Sequence, residues 1–256
     1  MKGIAVDLEG RSALVTGAGQ GVGLAIALGL ARCGATVWVN DLEPTRAKDA
    51  VETIGAEGGQ ARAVVADVTD AAAIAAMVAE TGPVDILVNN AGIPPGVNAL
   101  VSFADSTPED WHPWRSLNYD AVLHVTHAYL RPMTERGWGR ILTIVSDAGR
   151  RGEPGQVIYG SAKAAAMGFS RGLAMEVARH GVTVNCVALG AIRHGTVAAF
   201  FDADPEAEKK ATRAYPLRRL GTPEDPAALA VLLCGDAGSW ITGQVYPVDG
   251  GYTQAL

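Results

Sequence analysis

The chain has 256 residues, of which 48% are hydrophobic and 19% are charged, which is enough apolar material for a sizeable core. The formal net charge of -6 argues against a nucleic-acid binder, and no apolar run reaches the roughly eighteen residues that a membrane span needs. An early Asp7 argues against a secretory signal. Three widely separated cysteines favour a reduced, cytoplasmic location without disulfides or a metal site.

Short apolar runs alternate with longer helical stretches from one end of the chain to the other. The apolar runs predict strands at Ser12–Thr16, Thr36–Asn40, Ala61–Ala66, Val84–Val88, Arg140–Val145, Val182–Val187 and Gln244–Val248. The longer stretches predict helices at Val22–Cys33, Pro44–Ile54, Asp70–Glu80, Pro108 to about Arg136 and Tyr159–Arg179, with another beginning at Thr222.

Strands that are apolar along their whole length are typical of a parallel sheet with helices on both faces. Because parallel crossovers are right-handed, this alternation predicts a doubly wound α/β fold with about seven parallel strands. No linker or repeat divides the chain, so residues 1–256 are expected to form one domain. Ligands of such sheets bind beyond the carboxyl ends of the strands.

A glycine-rich segment, Thr16–Gly23, joins the first predicted strand to the first helix. Its glycines at 17, 21 and 23 allow a tight turn and a close approach to a pyrophosphate, which the helix N-terminus would stabilise. The spacing differs from the usual G-x-G-x-x-G pattern. The alternative is an ordinary strand-to-helix turn.

Asp41 ends the second predicted strand, where a carboxylate can accept hydrogen bonds from both ribose hydroxyls of adenosine and would repel a 2'-phosphate. Gln20 is neutral where a basic residue could pair with that phosphate. Both residues predict NAD rather than NADP as the cofactor. The alternative for Asp41 is a cap for the helix that begins at Pro44.

Tyr159 and Lys163 lie four residues apart, on one face of a predicted helix, in a chain with only five lysines. An ammonium near a phenol favours the phenolate and so lowers its pKa, which readies the tyrosine to exchange a proton. The alternative is an accidental pair on an exposed helix.

With Thr16–Gly23, Asn89–Gly92, Ser146 and Tyr159–Lys163 in this order, the chain resembles the short-chain dehydrogenase/reductase family from about Gly10 to Gly251. The resemblance implies a single Rossmann-like domain, a dimeric or tetrameric assembly, a small-molecule substrate and NAD-dependent interconversion of a secondary alcohol and a ketone. The catalytic residues it implies are Asn118, Ser146, Tyr159 and Lys163. The expected cofactor contacts are Gly17, Gln20, Gly21, Val22, Gly23, Asp41, Asp67, Val68, Asn90, Tyr159, Lys163, Ile192 and Thr196.

Each catalytic residue has an expected task. The Ser146 hydroxyl donates to the substrate oxygen, Tyr159 exchanges the proton, and Lys163 acidifies Tyr159 and binds the nicotinamide ribose. Asn118, at a break in the long helix, is expected to hold a water next to Lys163. The alternatives are a strand-end cap for Ser146 and a buried structural amide for Asn118.

The chain departs from the family pattern in the segment after its sixth predicted strand. Leu189 stands where proline is usual, and His194 stands where threonine is common. We therefore assign the carboxamide contact to the backbone of Ile192 and to Thr196. His194 is interpreted as a loop or substrate-contacting residue, within a substrate loop at about 190–218.

The substrate pocket is expected between residues 92–98, 147–157 and 194–215. These segments carry apolar side chains, Val97, Val157, Phe200 and Phe201, and basic ones, Arg150, Arg151, Arg193 and Arg213. One hypothesis is an apolar, cyclic or acyl substrate with an anionic handle such as a thioester carrier. The alternative is that the arginines are solvated surface charges.

Three other functions stay open at this point. A non-catalytic nucleotide-binding sensor or scaffold could use the same fold. An epimerase or dehydratase could use bound NAD transiently, and an NADP-dependent 3-oxoacyl reductase would share most of the motifs.

Overall fold

The computed structural model describes residues 6–97 and 101–254. Its strands are β1 Ser12–Val15, β2 Thr36–Asp41, β3 Gln60–Val65, β4 Ile86–Asn89, β5 Gly139–Ser146, β6 Val182–Leu189 and β7 Val245–Val248. Its helices are α1 Gly21–Arg32, α2 Pro44–Ala56, α3 Ala71–Thr81, α4 Pro108–Arg115, α5 Ala121–Arg136, α6 Ala148–Arg151, α7 Val157–Val177, α8 Gly195–Ala203, α9 Pro205–Ala211 and α10 Glu224–Cys234.

The strands form one seven-stranded sheet in the order β3-β2-β1-β4-β5-β6-β7, and every neighbouring pair is parallel. The predicted doubly wound α/β fold is confirmed. The strand order reverses between β1 and β4, so their carboxyl ends flank the crevice in which such sheets bind ligands.

Two apolar clusters explain why the strands are hydrophobic along their length. In β1, Ala13 and Val15 join the cluster under α1, α2 and α10, whereas Leu14 points to the cluster under α3, α5 and α7. All three are fully buried. Burying one such side chain contributes about 1.5–3 kcal/mol, so helices on both faces hold the central strands in place.

The long helix predicted from Pro108 to Arg136 is interrupted. Residues Ser116–Asp120 form a π turn between α4 and α5. Asn118 is fully buried in this turn and donates from Nδ2 to the carbonyl of Trp114 at 3.0 Å. A side-chain amide thus supplies a hydrogen bond to a backbone carbonyl of the helix. Within the described ranges, no helix is long and apolar enough to cross a membrane.

Candidate active site

The glycine-rich segment forms a tight turn between β1 and α1. Gly17 and Gly21 have φ angles of 60° and 58°, a region that side chains other than glycine rarely adopt. A Cβ on Gly23 would overlap the carbonyl oxygen of Gly17 and approach Asn90 Nδ2 to 2.5 Å. Asn90 donates from that amide to the carbonyls of Thr16 (2.9 Å) and Gly17 (3.0 Å), so it fastens the turn to the end of β4.

The first turn of α1 faces this loop with its backbone N–H groups. Gln20 is the N-cap residue and makes no side-chain cap hydrogen bond, and the first turn carries no acidic residue. Val22, the predicted contact after Gly21, has its side chain buried in the core. These unpaired N–H groups and the close-packed glycines suit the pyrophosphate of a dinucleotide.

Asp41 lies at the end of β2, almost fully buried, beside the same loop. Its carboxylate accepts hydrogen bonds from the backbone N–H of Gly19 and of Glu43, both at 3.0 Å. Arg46, in the first turn of α2, forms an ion pair with it at 3.3 Å. The sequence reading missed Arg46, although it stands only five residues beyond Asp41.

The remaining predicted cofactor residues lie in loops that follow the strands. Asp67, after β3, accepts hydrogen bonds from Thr69, and Val68 is buried. Ile192, also buried, pairs with Gly221 in a short β-bridge. Thr196 lies in α8, and its side chain is outside what the structure describes.

Ser146 and Tyr159 lie together at the carboxyl end of β5. Ser146 is the last residue of β5, and its hydroxyl accepts a hydrogen bond from the N–H of Ala148 at 3.2 Å. Burial raises the pKa of the Tyr159 phenol, and a hydrogen bond with Ser146 opposes the rise. The tyrosine of the free protein is therefore a neutral phenol, in contact with the serine predicted to donate to substrate.

Lys163 lies one turn along α7 from Tyr159 and is 4% exposed. Its Nζ donates to the carbonyl of Ile144 at 2.7 Å and lies 5.8 Å from the centroid of the tyrosine ring. Burial lowers the pKa of Lys163 to about 8. The expected lowering of the Tyr159 pKa is wrong for the free protein, because burial dominates and the ammonium is directed at a carbonyl.

Asn118 and Lys163 approach each other across Gly92. A Cβ on Gly92 would lie 2.9 Å from Lys163 Nζ and 3.0 Å from Asn118 Oδ1. Asn118 Oδ1 is buried and has no hydrogen-bond partner among the described residues. A carbonyl oxygen and an ammonium on either side of one small gap suit a bridging water, so the predicted water-holding role of Asn118 stays a prediction.

An apolar pocket lies beside Tyr159. Its wall is formed mainly by Val97, Val101, Phe103, Trp111, Trp114 and Val157. Trp114 stands edge-on to Tyr159 at 5.4 Å, and Phe103 stacks on Trp111 at 5.3 Å. The predicted wall residues Val97 and Val157 belong to it, and Asn98 lies outside the described residues.

The structure places one predicted part of the pocket wall elsewhere. Phe200 and Phe201 contact each other on α8 instead of lining this pocket, and Phe200 is largely exposed. Two α4 tryptophans, Trp111 and Trp114, take that place. Both lie just before the π turn at Ser116–Asp120, the helix break that the family resemblance implies at Asn118.

Most of the arginines predicted to meet an anionic handle already have partners. Arg150 pairs with Asp147 and donates to Thr253, and Arg151 lies 4.3 Å above the ring of Tyr252. Arg193 pairs with Asp202 (2.6 Å) and Glu208 (3.0 Å). These contacts hold loops together in two groups, one formed by Arg150, Arg151, Thr253 and Tyr252 and the other by Arg193, Asp202 and Glu208.

The structure also brings together two carboxyl groups that the sequence reading did not connect. Asp147, directly after Ser146, is buried, and burial together with the nearby Asp249 charge raises its pKa to about 7. Burial favours a raised pKa for Asp249 too, but hydrogen bonds from Thr253 and Gly251 outweigh it and lower the pKa. A carboxyl group with a raised pKa therefore lies beside a carboxylate where the loop after β5 meets the segment after β7.

Comparison with known proteins covers almost the whole chain. Residues 17–253 match a family model described as enoyl-(acyl carrier protein) reductase. A 3-oxoacyl-[acyl-carrier-protein] reductase of Pseudomonas aeruginosa is 38% identical over 96% of this chain and 98% of its own length. A 7alpha-hydroxysteroid dehydrogenase of Escherichia coli is 36% identical over 97% of this chain and 96% of its own length.

A solved structure from Beutenbergia cavernae, described as an NAD(P)-dependent gluconate 5-dehydrogenase, superimposes with a TM-score of 0.89. It is 38% identical, covers 96% of this chain and 98% of its own, and contains bound NADP. Among the described residues, no cluster of three or more His, Cys, Asp or Glu side chains could hold a metal ion.

Proposed function

Because the chain belongs to the short-chain dehydrogenase/reductase family, whose enzymes act on CH–OH donors with a nicotinamide dinucleotide, we propose that it is an NAD-dependent oxidoreductase of an apolar secondary alcohol or ketone. The glycine turn, the free N–H groups of α1 and Asp41 fit that dinucleotide. When bound, its nicotinamide gives or takes the hydride.

The preference for NAD rests on Asp41. Its buried carboxylate is fixed by Gly19 N–H at 3.0 Å, so it would present a negative charge to the adenosine ribose. Ribose hydroxyls can donate to that carboxylate, whereas a 2'-phosphate would bring a like charge to a poorly hydrated site.

The proposed chemistry assigns one task to each side chain near the pocket. Ser146 donates to the substrate oxygen, on which negative charge grows during hydride transfer from the cofactor. Tyr159 gives the proton to that oxygen in reduction and takes it in oxidation. Lys163 would hold the ribose, and Asn118 would position a water next to Lys163, through which the proton that Tyr159 takes up in oxidation would pass to solvent.

The substrate is proposed to be uncharged and apolar, with an alicyclic alcohol or ketone as the best match. Among the described residues that line the pocket none is basic, and two of its polar side chains, Ser106 and Asp110, are engaged locally. Ser106 accepts from the Trp111 indole at 2.8 Å, and Asp110 caps α4 through Thr107. The activity that names the Escherichia coli relative, a hydroxysteroid dehydrogenase, supports the alicyclic class.

The second candidate is an NADP-dependent 3-oxoacyl reductase. It is favoured by Arg46, whose guanidinium lies beside Asp41 and could neutralise a 2'-phosphate, and by the name of the Pseudomonas aeruginosa relative. For a thioester carrier, however, Arg150 and Arg151 would have to leave their present partners.

The decisive experiment measures kcat/KM with NAD(H) and with NADP(H) for the parent chain and for Asp41→Asn. We expect the parent to prefer NAD over NADP by at least about tenfold in kcat/KM. The isosteric amide of Asp41→Asn should reduce that ratio, because it removes the negative charge that repels a 2'-phosphate. A parent that prefers NADP would overturn the NAD assignment and favour the second candidate.

The substrate class is tested with a panel of alicyclic ketones, each compared with an acyl thioester of similar apolar size, for the parent and for Arg150→Ala. We expect the ketones to be preferred by the parent. A thioester preference that Arg150→Ala abolishes would restore the anionic-handle hypothesis.

The proposed assembly is a homo-oligomer that packs α5 and α7 of neighbouring copies together. Met175, on the outer face of α7, is 85% exposed in the single chain, which is unusual for a large apolar side chain unless a partner covers it. Light scattering on the purified protein tests this, and a monomeric mass would refute it.

A further inference from the structure

We infer that His194 binds the pyrophosphate of the dinucleotide as an imidazolium, so that cofactor affinity increases as the pH falls. This inference rests on the proposed dinucleotide-dependent function. It gives His194, a residue foreign to the family pattern at this position, a binding role that the threonine could not play.

The geometry that carries the inference is the position of the imidazole against the glycine turn. A Cβ on Gly21 would lie 2.7 Å from Nδ1 and 2.8 Å from Cε1 of His194. Gly21 is the first residue of α1, whose free N–H groups form the anion site. A phosphate bound by those groups would therefore lie beside this ring, within reach of a ring N–H.

The segment that forms the anion site carries no positively charged side chain near the turn. From Ser12 to Cys33 the only basic residue is Arg32, at the opposite end of α1 from the turn. Backbone N–H groups and the helix dipole contribute only partial charges. A dinucleotide carries two negative charges on its pyrophosphate, so a charged imidazole would add a full positive charge near them.

The local backbone holds His194 in this place. His194 is the N-cap residue of α8, with its carbonyl accepting from the N–H of Val197 at 3.1 Å, and its own N–H donates to Ile192 at 3.1 Å. Ile192 is in turn bridged to Gly221. The ring is thus held against α1 by a segment that is bonded to the loop around Gly221.

Charged groups on the elements packed around His194 already have partners. Arg193 pairs with residues of α8 and α9, and Arg219 forms two hydrogen bonds with Asp225 in the first turn of α10. The first turn of α1 has no titratable side chain, and Asp41 with Arg46 forms its own pair on the Gly19 side of the turn. The two acidic partners of Arg193 are Asp202 on α8 and Glu208 on α9.

The direction of the pH effect follows from the two states of the ring. Burial lowers the pKa of His194 in the free protein, so the ring is neutral at pH 7. A bound dianion favours the charged ring and raises that pKa. At a pH between the pKa of His194 in the free protein and its pKa in the complex, binding of the dinucleotide takes up a proton. The affinity therefore falls as the pH rises, until the ring is neutral in the complex as well.

The test measures binding rather than turnover. Dissociation constants of ADP-ribose, which has the pyrophosphate but no nicotinamide, and of adenosine, which has neither, are determined by calorimetry from pH 5.5 to pH 8.5. The proteins are the parent, His194→Gln and the matched control His127→Gln, whose histidine is exposed on α5. Buffers of different ionisation enthalpy report the proton uptake.

For the parent and the control we expect ADP-ribose to bind about tenfold more weakly at high pH than at low pH, as a pKa rise of about one unit implies, with proton uptake on binding. His194→Gln should bind with the weaker affinity throughout and without proton uptake, and adenosine should show no pH effect in any protein. Equal pH dependence in the parent and His194→Gln would overturn the inference while leaving the proposed function intact. Failure of all three proteins to bind either ADP-ribose or NAD would overturn both.

Discussion

The cofactor end and the substrate end of the site are built differently. Around β1, α1 and β2 the functional groups are mostly backbone: glycines at 17, 21 and 23, free N–H groups, and the single carboxylate of Asp41. Around the pocket beside Tyr159 they are side chains from distant segments, such as Val97, Trp114 and Val157. The first region tolerates few residue types, whereas the second can change its substrate through single side chains.

The two ends also differ in how their charges are arranged. At the substrate end, the Asp147 carboxyl lies close to the Asp249 charge, and Arg150 and Arg151 hold loops in place. At the cofactor end, Asp41 and Arg46 form one ion pair beside the glycine turn. The substrate end therefore uses charge mainly to join loops, whereas the cofactor end places a charged pair next to the turn.

The largest expected effect separates chemistry from cofactor binding. Tyr159→Phe should lower kcat/KM by about 10²–10⁴, the usual contribution of a positioned acid or base. NAD affinity should change by no more than about fivefold, the worth of one neutral hydrogen bond. Steady-state kinetics and calorimetry measure the two, with Tyr246→Phe as the control. Activity retained in Tyr159→Phe would remove the tyrosine from the mechanism.

A substitution at the cofactor end should act through the backbone. In Gly23→Ala the new methyl group meets the Gly17 carbonyl and Asn90, so α1 has to shift away from β1. We expect NAD to bind at least about tenfold more weakly and the free energy of unfolding to fall by about 1–3 kcal/mol. Gly55→Ala, a helical position with nothing within 4 Å, is the control and should stabilise α2 slightly. Equal behaviour of the two variants would contradict the close-packing argument.

The carboxyl pair at the substrate end predicts a pH effect on stability. Folded Asp147 keeps its proton up to about pH 7, whereas the unfolded chain releases it near pH 4, so stability is lost as the pH rises between those values. Between pH 5 and pH 8 the parent should lose about 2–3 kcal/mol more than Asp147→Asn in chemical denaturation.

Asp225→Asn is the control for that measurement. Arg219 lowers the pKa of Asp225 to about 2, so its contribution to stability is lost only as the pH falls below about 4. The slope from pH 5 to pH 8 should therefore match that of the parent. If Asp147→Asn also kept the parent slope, the raised pKa of Asp147 would be wrong.

The smallest expected effect concerns Arg46. Its ion pair with Asp41 is partly exposed and contributes at most about 1 kcal/mol. Arg46→Ala should weaken NADP binding by a few-fold and leave NAD binding nearly unchanged, because the charge that could meet a 2'-phosphate is lost. Fluorescence titration with both dinucleotides provides the ratio. An unchanged ratio would show that Arg46 does not contribute to cofactor choice.

The same contrast explains what could be predicted from the sequence. The strand order and the glycine turn depend on local apolar runs and on positive φ angles at glycine, and both are visible in the residues themselves. The pocket depends on where α4 ends and on the direction of α8, and tertiary packing determines both. Thus Trp114 was missed and Phe200 was misplaced, and the pKa of Tyr159 was expected to move in the wrong direction because burial cannot be read from spacing.

The π turn at Ser116–Asp120 has a consequence for how chains of this kind can change in length. Removing one residue there would close the wide turn into a regular i→i−4 ladder. The Trp114 carbonyl would then accept from a backbone N–H, so Asn118 would lose the hydrogen bond that holds its amide beside Gly92. A length change that a surface loop absorbs without harm would here disturb the placement of Asn118 and, with it, the proposed proton exit.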